Sequence, residues 1–125
     1  MILIFGGAYQ GKLAYALERF KLNEDDVYRC SSDKTDVQQN KIIYEIDKWI
    51  LALVKTEIDA EESVRQFIGS NQNAIVICND ISCGVVPVDP VLRKWREAVG
   101  RSLAMLSQES DEVIRLFCSI PSRLK

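Results

Sequence analysis

Ile2-Leu3-Ile4-Phe5-Gly6-Gly7-Ala8-Tyr9-Gln10-Gly11-Lys12-Leu13 is an apolar run followed by a glycine-rich loop. The spacing of Gly6, Gly11 and Lys12 matches the G-x-x-x-x-G-K form of a phosphate-binding loop. Such a loop follows a strand and precedes a helix; its backbone N–H groups surround phosphate oxygens, and its lysine reaches the outer phosphates. The pattern therefore predicts binding of a nucleotide or a phosphate group by the loop residues Gly6, Gly7, Ala8, Tyr9, Gln10, Gly11, Lys12 and Leu13.

One position departs from this motif. Ser or Thr is expected after the lysine because its hydroxyl ligates Mg²⁺, and here the residue is Leu13. An apolar side chain cannot bind a hard, oxygen-seeking cation. The motif thus indicates phosphate binding, and it leaves open whether the chain transfers a phosphoryl group or only binds a ligand.

Composition and charge are those of an ordinary soluble globular protein. The 125 residues predict one domain over residues 1–125, with 47% hydrophobic and 27% charged residues. A net charge of −2 gives no electrostatic reason to expect nucleic acid or an anionic membrane as a partner. Because we find neither a transmembrane-length apolar stretch nor a signal-peptide pattern, we expect a cytoplasmic protein.

Histidine is missing from the sequence. Its absence excludes a histidine base, nucleophile or metal ligand in this chain.

The cysteines form no C-x-x-C pair, and three of the four lie in apolar, strand-like runs. We expect buried, reduced thiols at Cys30, Cys78, Cys83 and Cys118.

Strand-like and helix-like patterns alternate along the chain, which predicts an α/β fold with a parallel sheet covered on both faces. The predicted strands are residues 1–5, 27–31, 74–78 and 113–118, and the predicted helices are residues 11–21, 59–69 and 90–107. Asp89 caps the last helix, with Pro90 at its first position. Residues 42–44 form either a strand that leads into a helix through Val54 or part of a helix that begins near Asp36. Residues 23–26 are predicted as a turn, and residues 32–39 and 79–88 as loops.

Polar residues follow the strands at the edge where ligands bind in open α/β sheets. Asp80 comes directly after a buried strand. Two roles are open for Asp80: it binds a metal ion or a substrate hydroxyl, or it is only a turn-forming residue.

The long last helix carries Arg93, Lys94, Arg96 and Arg101. These residues form a solvated face, or Arg101 lies near a phosphate or a subunit boundary. For the two tryptophans, Trp49 and Trp95, we expect packing or subunit contact rather than base stacking.

Three segments resemble the adenosylcobinamide kinase / adenosylcobinamide-phosphate guanylyltransferase family of cobalamin biosynthesis. They are Asn79-Asp80-Ile81-Ser82-Cys83-Gly84-Val85-Val86-Pro87, Arg93-Lys94-Trp95-Arg96-Glu97-Ala98-Val99-Gly100-Arg101, and the final region with Ser110-Asp111-Glu112-Val113 and Ile120-Pro121. The opening G-G-A-x-x-G-K is similar as well.

This resemblance implies a P-loop NTPase-like, three-layer α/β/α fold with a mostly parallel sheet, assembled as a homo-oligomer, a trimer. It implies ATP- or GTP-dependent phosphorylation of the aminopropanol hydroxyl of a corrinoid. Gly6, Gly7, Gly11 and Lys12 would hold the triphosphate, and Lys12 and Asp80 would be catalytic, with Asp80 also the candidate ligand for Mg²⁺.

The chain departs from the family at functional positions. Family members transfer a guanylyl group through a covalent histidine, and the segment that carries it is replaced here by residues 33–41, so this route is excluded. Tyr44 stands where an acid would assist Mg²⁺, with Glu45 one position away. Three hypotheses remain open: a reduced kinase, a non-catalytic nucleotide- or corrinoid-binding relative, and a fold that acts through assembly without a ligand.

Overall fold

A six-stranded sheet forms the centre of the computed structural model, which describes residues 1–81 and 86–125. In chain order the strands are β1 (Ile2–Gly6), β2 (Val27–Arg29), β3 (Ile42–Tyr44), β4 (Ile75–Asn79), β5 (Glu112–Phe117) and β6 (Ile120–Arg123). They lie in the order β2-β3-β4-β1-β5-β6. Only the β5–β6 pairing is antiparallel among the described strand pairs. The parallel strands therefore end at one shared edge, where the glycine-rich loop begins.

Helices cover both faces of this sheet. They are α1 (Lys12–Phe20), α2 (Ile46–Lys55), α3 (Ala60–Ser70) and α4 (Pro90–Glu109), with a short 3₁₀ helix at Glu24–Asp26. Helix α1 packs on one face around Ala16. Helices α2, α3 and α4 pack on the other, where Ile50, Val64 and Val99 are fully buried. This three-layer arrangement confirms the predicted P-loop NTPase-like α/β/α fold class.

Strand β1 lies at the middle of the sheet because its side chains are apolar on both sides. Leu3 joins the core under the three helices, and Ile4 joins the core under α1. Both side chains have no exposed surface. Continuous apolar runs of this kind are typical of parallel strands buried on two faces, and they place the end of β1 at the centre of the edge where ligands bind.

Most predicted elements are confirmed within one or two residues. Residues 42–44 form a strand followed by a helix, so the alternative helix beginning near Asp36 is wrong. Asp59 and Asp89 cap α3 and α4 through their side chains. The second strand is shorter than predicted and stops at Arg29, and α4 continues two residues beyond the predicted end. The central part of the predicted 79–88 loop, with Cys83, lies outside the described residues.

The C-terminal region differs from the prediction. The strand predicted at residues 113–118 ends at Phe117, and a further strand, β6, returns antiparallel to it with Leu116 opposite Pro121. Proline lacks an N–H and is tolerated on an edge strand. Cys118 lies in the intervening turn and is exposed, so its predicted burial is wrong, whereas Cys30 and Cys78 are buried.

In the described part of the chain, no helix combines the length and the apolar character needed to cross a bilayer.

Candidate phosphate-binding site

The glycine-rich loop leaves β1 at Gly6 and enters α1 at Lys12. A Cβ atom at Gly6 would collide with the backbone carbonyl oxygen of Leu116 on the neighbouring strand. Gly11 has φ 82°, in the left-handed region that glycine adopts without steric cost. Close packing at Gly6 and backbone conformation at Gly11 thus explain both glycines of the G-x-x-x-x-G-K spacing.

Helix α1 begins without a side-chain cap from any described residue. The first backbone N–H groups of a helix have no partner within it and lie at the positive end of its dipole. Uncapped, they are available to an anion at the end of the loop.

Lys12 lies across the loop. The residue is 4% exposed, and its Nζ donates a hydrogen bond of 2.6 Å to the carbonyl oxygen of Gly7. Burial lowers the pKa of Lys12, and the carboxylates of Asp47 and Glu45 oppose this shift. The hydrogen bond therefore fixes the ammonium group beside Gly7, and burial removes much of its hydration.

The loop side chains point in different directions. Tyr9 is fully exposed and has φ 61°. The side-chain oxygen of Gln10 accepts a hydrogen bond from the backbone N–H of Cys118. Leu13 is half-buried and packs against the apolar cluster under α1, so it faces the core and not the loop.

Asp80 follows β4 beside the loop. Its backbone N–H donates a 2.8 Å hydrogen bond to the carbonyl oxygen of Gly6, which joins the end of β4 to the start of the loop. Asp80 lines a cavity of about 440 Å³, together with Ala8 of the loop, Ser31, Asp47 and Trp95. The structure thus brings the predicted catalytic acid and the loop to one cavity.

Asp47 is a second acid in this cavity, and sequence reasoning missed it. It lies in the first turn of α2 and is 3% exposed. Its carboxylate accepts hydrogen bonds from the backbone N–H and side-chain amide of Asn79, at 3.0 and 3.3 Å. Burial raises its pKa. A lone carboxylate at the start of the apolar helix Ile46–Lys55 was the available signal.

Glu45, the acid one position out of register, precedes α2 with φ 58°. Its Oε2 lies 3.0 Å from the Nζ of Lys48 and 3.4 Å from the Nδ2 of Asn79. It therefore borders the Asp47–Asn79 pair and is partly neutralised by a lysine.

Among the described residues, no group of three acidic, cysteine or histidine side chains is arranged to hold a metal ion by itself. Mg²⁺ usually retains several waters and takes only one or two carboxylates in addition to substrate phosphates. Asp80 fits that smaller role as an oxygen donor at the cavity. Both carboxylate oxygens of Asp47 accept hydrogen bonds from Asn79, and Leu13 supplies no ligand.

The tryptophans pack, as predicted. Trp49 is 5% exposed, lies 5.5 Å from the Phe67 ring and donates a 2.8 Å hydrogen bond to the carbonyl of Thr35. Trp95 donates a 2.7 Å hydrogen bond to the carbonyl of Asp47.

Arg101 remains largely exposed, with Nη1 3.6 Å from a carboxylate oxygen of Glu61 on α3. The charge of Arg101 is thus paired with that of Glu61. This position agrees with the first of the two predicted alternatives, a solvated helix face.

A model of the family described as cobinamide kinase / cobinamide phosphate guanyltransferase matches residues 33–124. The match includes Asp47 and Asp80 and begins after the glycine-rich loop, so it does not cover that loop. No curated protein matches the chain at a significant level. Because the matched segment is well over half of the sequence, the chain belongs to this cobinamide kinase / cobinamide phosphate guanyltransferase family, which supports a cobinamide kinase-like role in cobalamin biosynthesis.

Proposed function

We propose that the chain binds ATP or GTP through residues 6–13 and transfers the terminal phosphoryl group to a hydroxyl of a cobinamide-like alcohol. One observation carries the proposal: buried Lys12 lies over the loop at an uncapped helix N-terminus, and the loop borders a cavity lined by Asp47 and Asp80. Backbone donors, a helix dipole and a lysine are the groups that bind a nucleotide triphosphate.

Lys12 is the proposed phosphate ligand. A buried ammonium is costly unless it is paired, and in the described structure its hydrogen bond goes to the neutral carbonyl of Gly7. A phosphate oxygen would be a stronger, charge-assisted partner. Binding of a triphosphate would therefore offset the desolvation that lowers the pKa of Lys12.

The neighbouring cavity is the proposed acceptor site. Its volume of about 440 Å³ lies within the range of small-molecule pockets, and we propose that it holds the hydroxyl-bearing arm of the acceptor while the macrocycle stays outside. Asp80 would receive the hydroxyl proton as the hydroxyl oxygen bonds to the terminal phosphorus. The bond from that phosphorus to the bridging oxygen then breaks, and the nucleoside diphosphate leaves.

Mg²⁺ is the proposed metal, held by Asp80 and water. When bound, it would neutralise charge on the phosphates. Positioning dominates this chemistry, and the hydrogen bonds between Asp47 and Asn79 would hold the end of β4, and with it Asp80, in register with the loop.

A second candidate function is nucleotide or corrinoid binding without catalysis. Leu13 favours it, because this side chain packs into the core where a metal-binding hydroxyl is expected. Guanylyl transfer through histidine is not proposed, because the chain contains no histidine.

The test is thermal unfolding with ATP or GTP, with and without Mg²⁺, followed by an assay of cobinamide phosphorylation. A ligand at a hundred times its Kd stabilises by about 2.7 kcal/mol. Lys12→Ala should lose this stabilisation, while Lys34→Ala, an exposed control in the loop after β2, should retain it. Binding with turnover that Asp80→Asn abolishes supports the kinase. Binding without turnover supports the second function. The absence of any stabilisation by nucleotide contradicts the kinase and nucleotide binding, and it favours a corrinoid-binding relative or a fold that acts through assembly.

A further inference from the structure

We infer that the turn between β5 and β6, formed by Cys118 and Ser119, positions the glycine-rich loop. Gln10 is the positioning residue that connects the turn to the loop. The inference rests on the proposed nucleotide binding. The backbone N–H of Cys118 donates to the side-chain oxygen of Gln10, and the backbone N–H of Ser119 donates to the carbonyl oxygen of Gln10 at 3.1 Å. Both oxygens of one loop residue are therefore engaged by consecutive residues of a turn more than 100 residues away in sequence.

The loop and the turn also pack closely. A Cβ atom at Gly11 would lie 2.8 Å from the Oγ of Ser119. On the other side of the loop, the stem of Gln10 reaches Gly7, where an added Cβ would lie 3.8 Å from Gln10 Cγ. The Gln10 side chain thus spans the loop between Gly7 and the turn.

The turn has a fixed position because it joins two paired strands. Cys118 and Ser119 have φ 51° and 63°, the left-handed conformations of a two-residue hairpin turn. Phe117 lies opposite Ile120 on its two sides. Leu116, just before the turn, is 1% exposed and anchors β5 in the core.

These contacts orient a peptide group of the loop. The described peptide bonds are all trans, and in a planar trans peptide the C=O and N–H point in opposite directions. Because the Gln10 carbonyl points to the Ser119 N–H, the N–H of Gly11 points away from the turn. This donor precedes Lys12 and is among those that would face a bound phosphate. The turn thereby pre-organises the loop, which lowers the entropy lost on binding.

The experiment uses the complete chain and its Gln10→Met and Gln10→Glu variants. Methionine keeps the length of the side chain without a comparable acceptor, whereas glutamate keeps an acceptor oxygen. Gln108→Met, at an exposed position on α4, is the matched control. Amide hydrogen exchange at Cys118 and Ser119 is measured by NMR with and without ATP or GTP, and the nucleotide Kd is measured by calorimetry.

In the wild-type protein, nucleotide should slow exchange at the Cys118 and Ser119 amides. Gln10→Met should speed exchange at Cys118 and weaken nucleotide binding about three- to tenfold, as expected for loss of one hydrogen bond. Gln10→Glu should restore slow exchange at Cys118, and Gln108→Met should change neither quantity.

Wild-type nucleotide binding combined with unchanged affinity in Gln10→Met would overturn the inference and leave the proposed function intact. Turn amides that do not respond to nucleotide would overturn it as well. If the wild-type protein binds no nucleotide, both the proposed function and the inference fail.

Discussion

Asp47 and Asn79 connect the ends of two neighbouring strands: the carboxylate that follows β3 accepts hydrogen bonds from the backbone and side-chain N–H groups of the last residue of β4, at 3.0 and 3.3 Å. The backbone carbonyl of Asp47 also accepts the 2.7 Å hydrogen bond of Trp95 from α4. A buried acid is costly unless it is hydrogen-bonded. Here its bonds tie α2, β4 and α4 together beside the proposed phosphate site.

Asp47→Asn should destabilise the protein by about 1–3 kcal/mol at neutral pH, because the new NH₂ group faces donors on Asn79 and leaves one of them unsatisfied. Urea unfolding measures the change. Asp33→Asn, in which the side chain is largely exposed, is the control and should change stability little. An equal effect in both variants would contradict the assigned role of Asp47.

The stability difference between wild type and Asp47→Asn should also depend on pH. Burial raises the pKa of Asp47 above its ordinary 3.8, so the folded protein holds this proton more tightly than the unfolded chain does. The resulting stabilisation is complete below pH 3.8 and is lost as the pH rises through the raised pKa. The difference in the free energy of unfolding between wild type and Asp47→Asn should therefore become smaller as the pH rises over that range. Unfolding curves at several pH values that show a constant gap would refute this.

Gly6→Ala should destabilise the fold by at least about 1–3 kcal/mol, because the new methyl group would collide with the Leu116 carbonyl of β5 and force these strands apart. Gly7→Ala is the matched control, since its nearest new contact is an ordinary 3.8 Å. The free energy of unfolding without nucleotide is the measurement. Similar losses in the two variants would show that β1 and β5 are not so closely packed at this position.

Leu13→Ser and Leu13→Ala should both lose about 1–3 kcal/mol of stability, because each removes half-buried apolar surface from the cluster under α1. Only Leu13→Ser adds a hydroxyl that can bind Mg²⁺. Nucleotide affinity in that variant should therefore increase when Mg²⁺ is added, as measured by calorimetry. Equal dependence on Mg²⁺ in the serine and alanine variants would contradict a metal-binding role for a hydroxyl at position 13.

Of the three cysteines described, Cys118 should react first with a thiol reagent. It is exposed, whereas Cys30 and Cys78 are buried and their thiol pKa values are raised, that of Cys30 to about 12. Since the thiolate is the reactive species, the buried pair should react more slowly by about a hundredfold or more. Peptide mapping by mass spectrometry after timed labelling gives the rates, and Cys30 labelling as fast as Cys118 would contradict the fold around β2.

Local sequence signals predicted the parts of the fold that depend on interactions between residues close together in the sequence. The apolar run of residues 2–5 is a strand because it is buried on both faces, and Asp59 and Asp89 begin helices because their side chains accept N–H groups of the first turn. The loop lies where the glycine and lysine spacing predicted. Strand β6 was missed because its residues are exposed and include Pro121, and because the strand forms by pairing with β5 rather than from a local apolar pattern.

The sequence by itself determined the alternation of strands and helices, the position of the glycine-rich loop and the absence of histidine chemistry, because each depends on residue type and short-range spacing. Only the tertiary structure placed Asp47 against Asn79 and the turn at Cys118 and Ser119 against Gln10. These contacts join residues 32 and 108 positions apart in the chain. Such partners meet because the parallel strands end at one edge, and no local pattern encodes which side chains come together there.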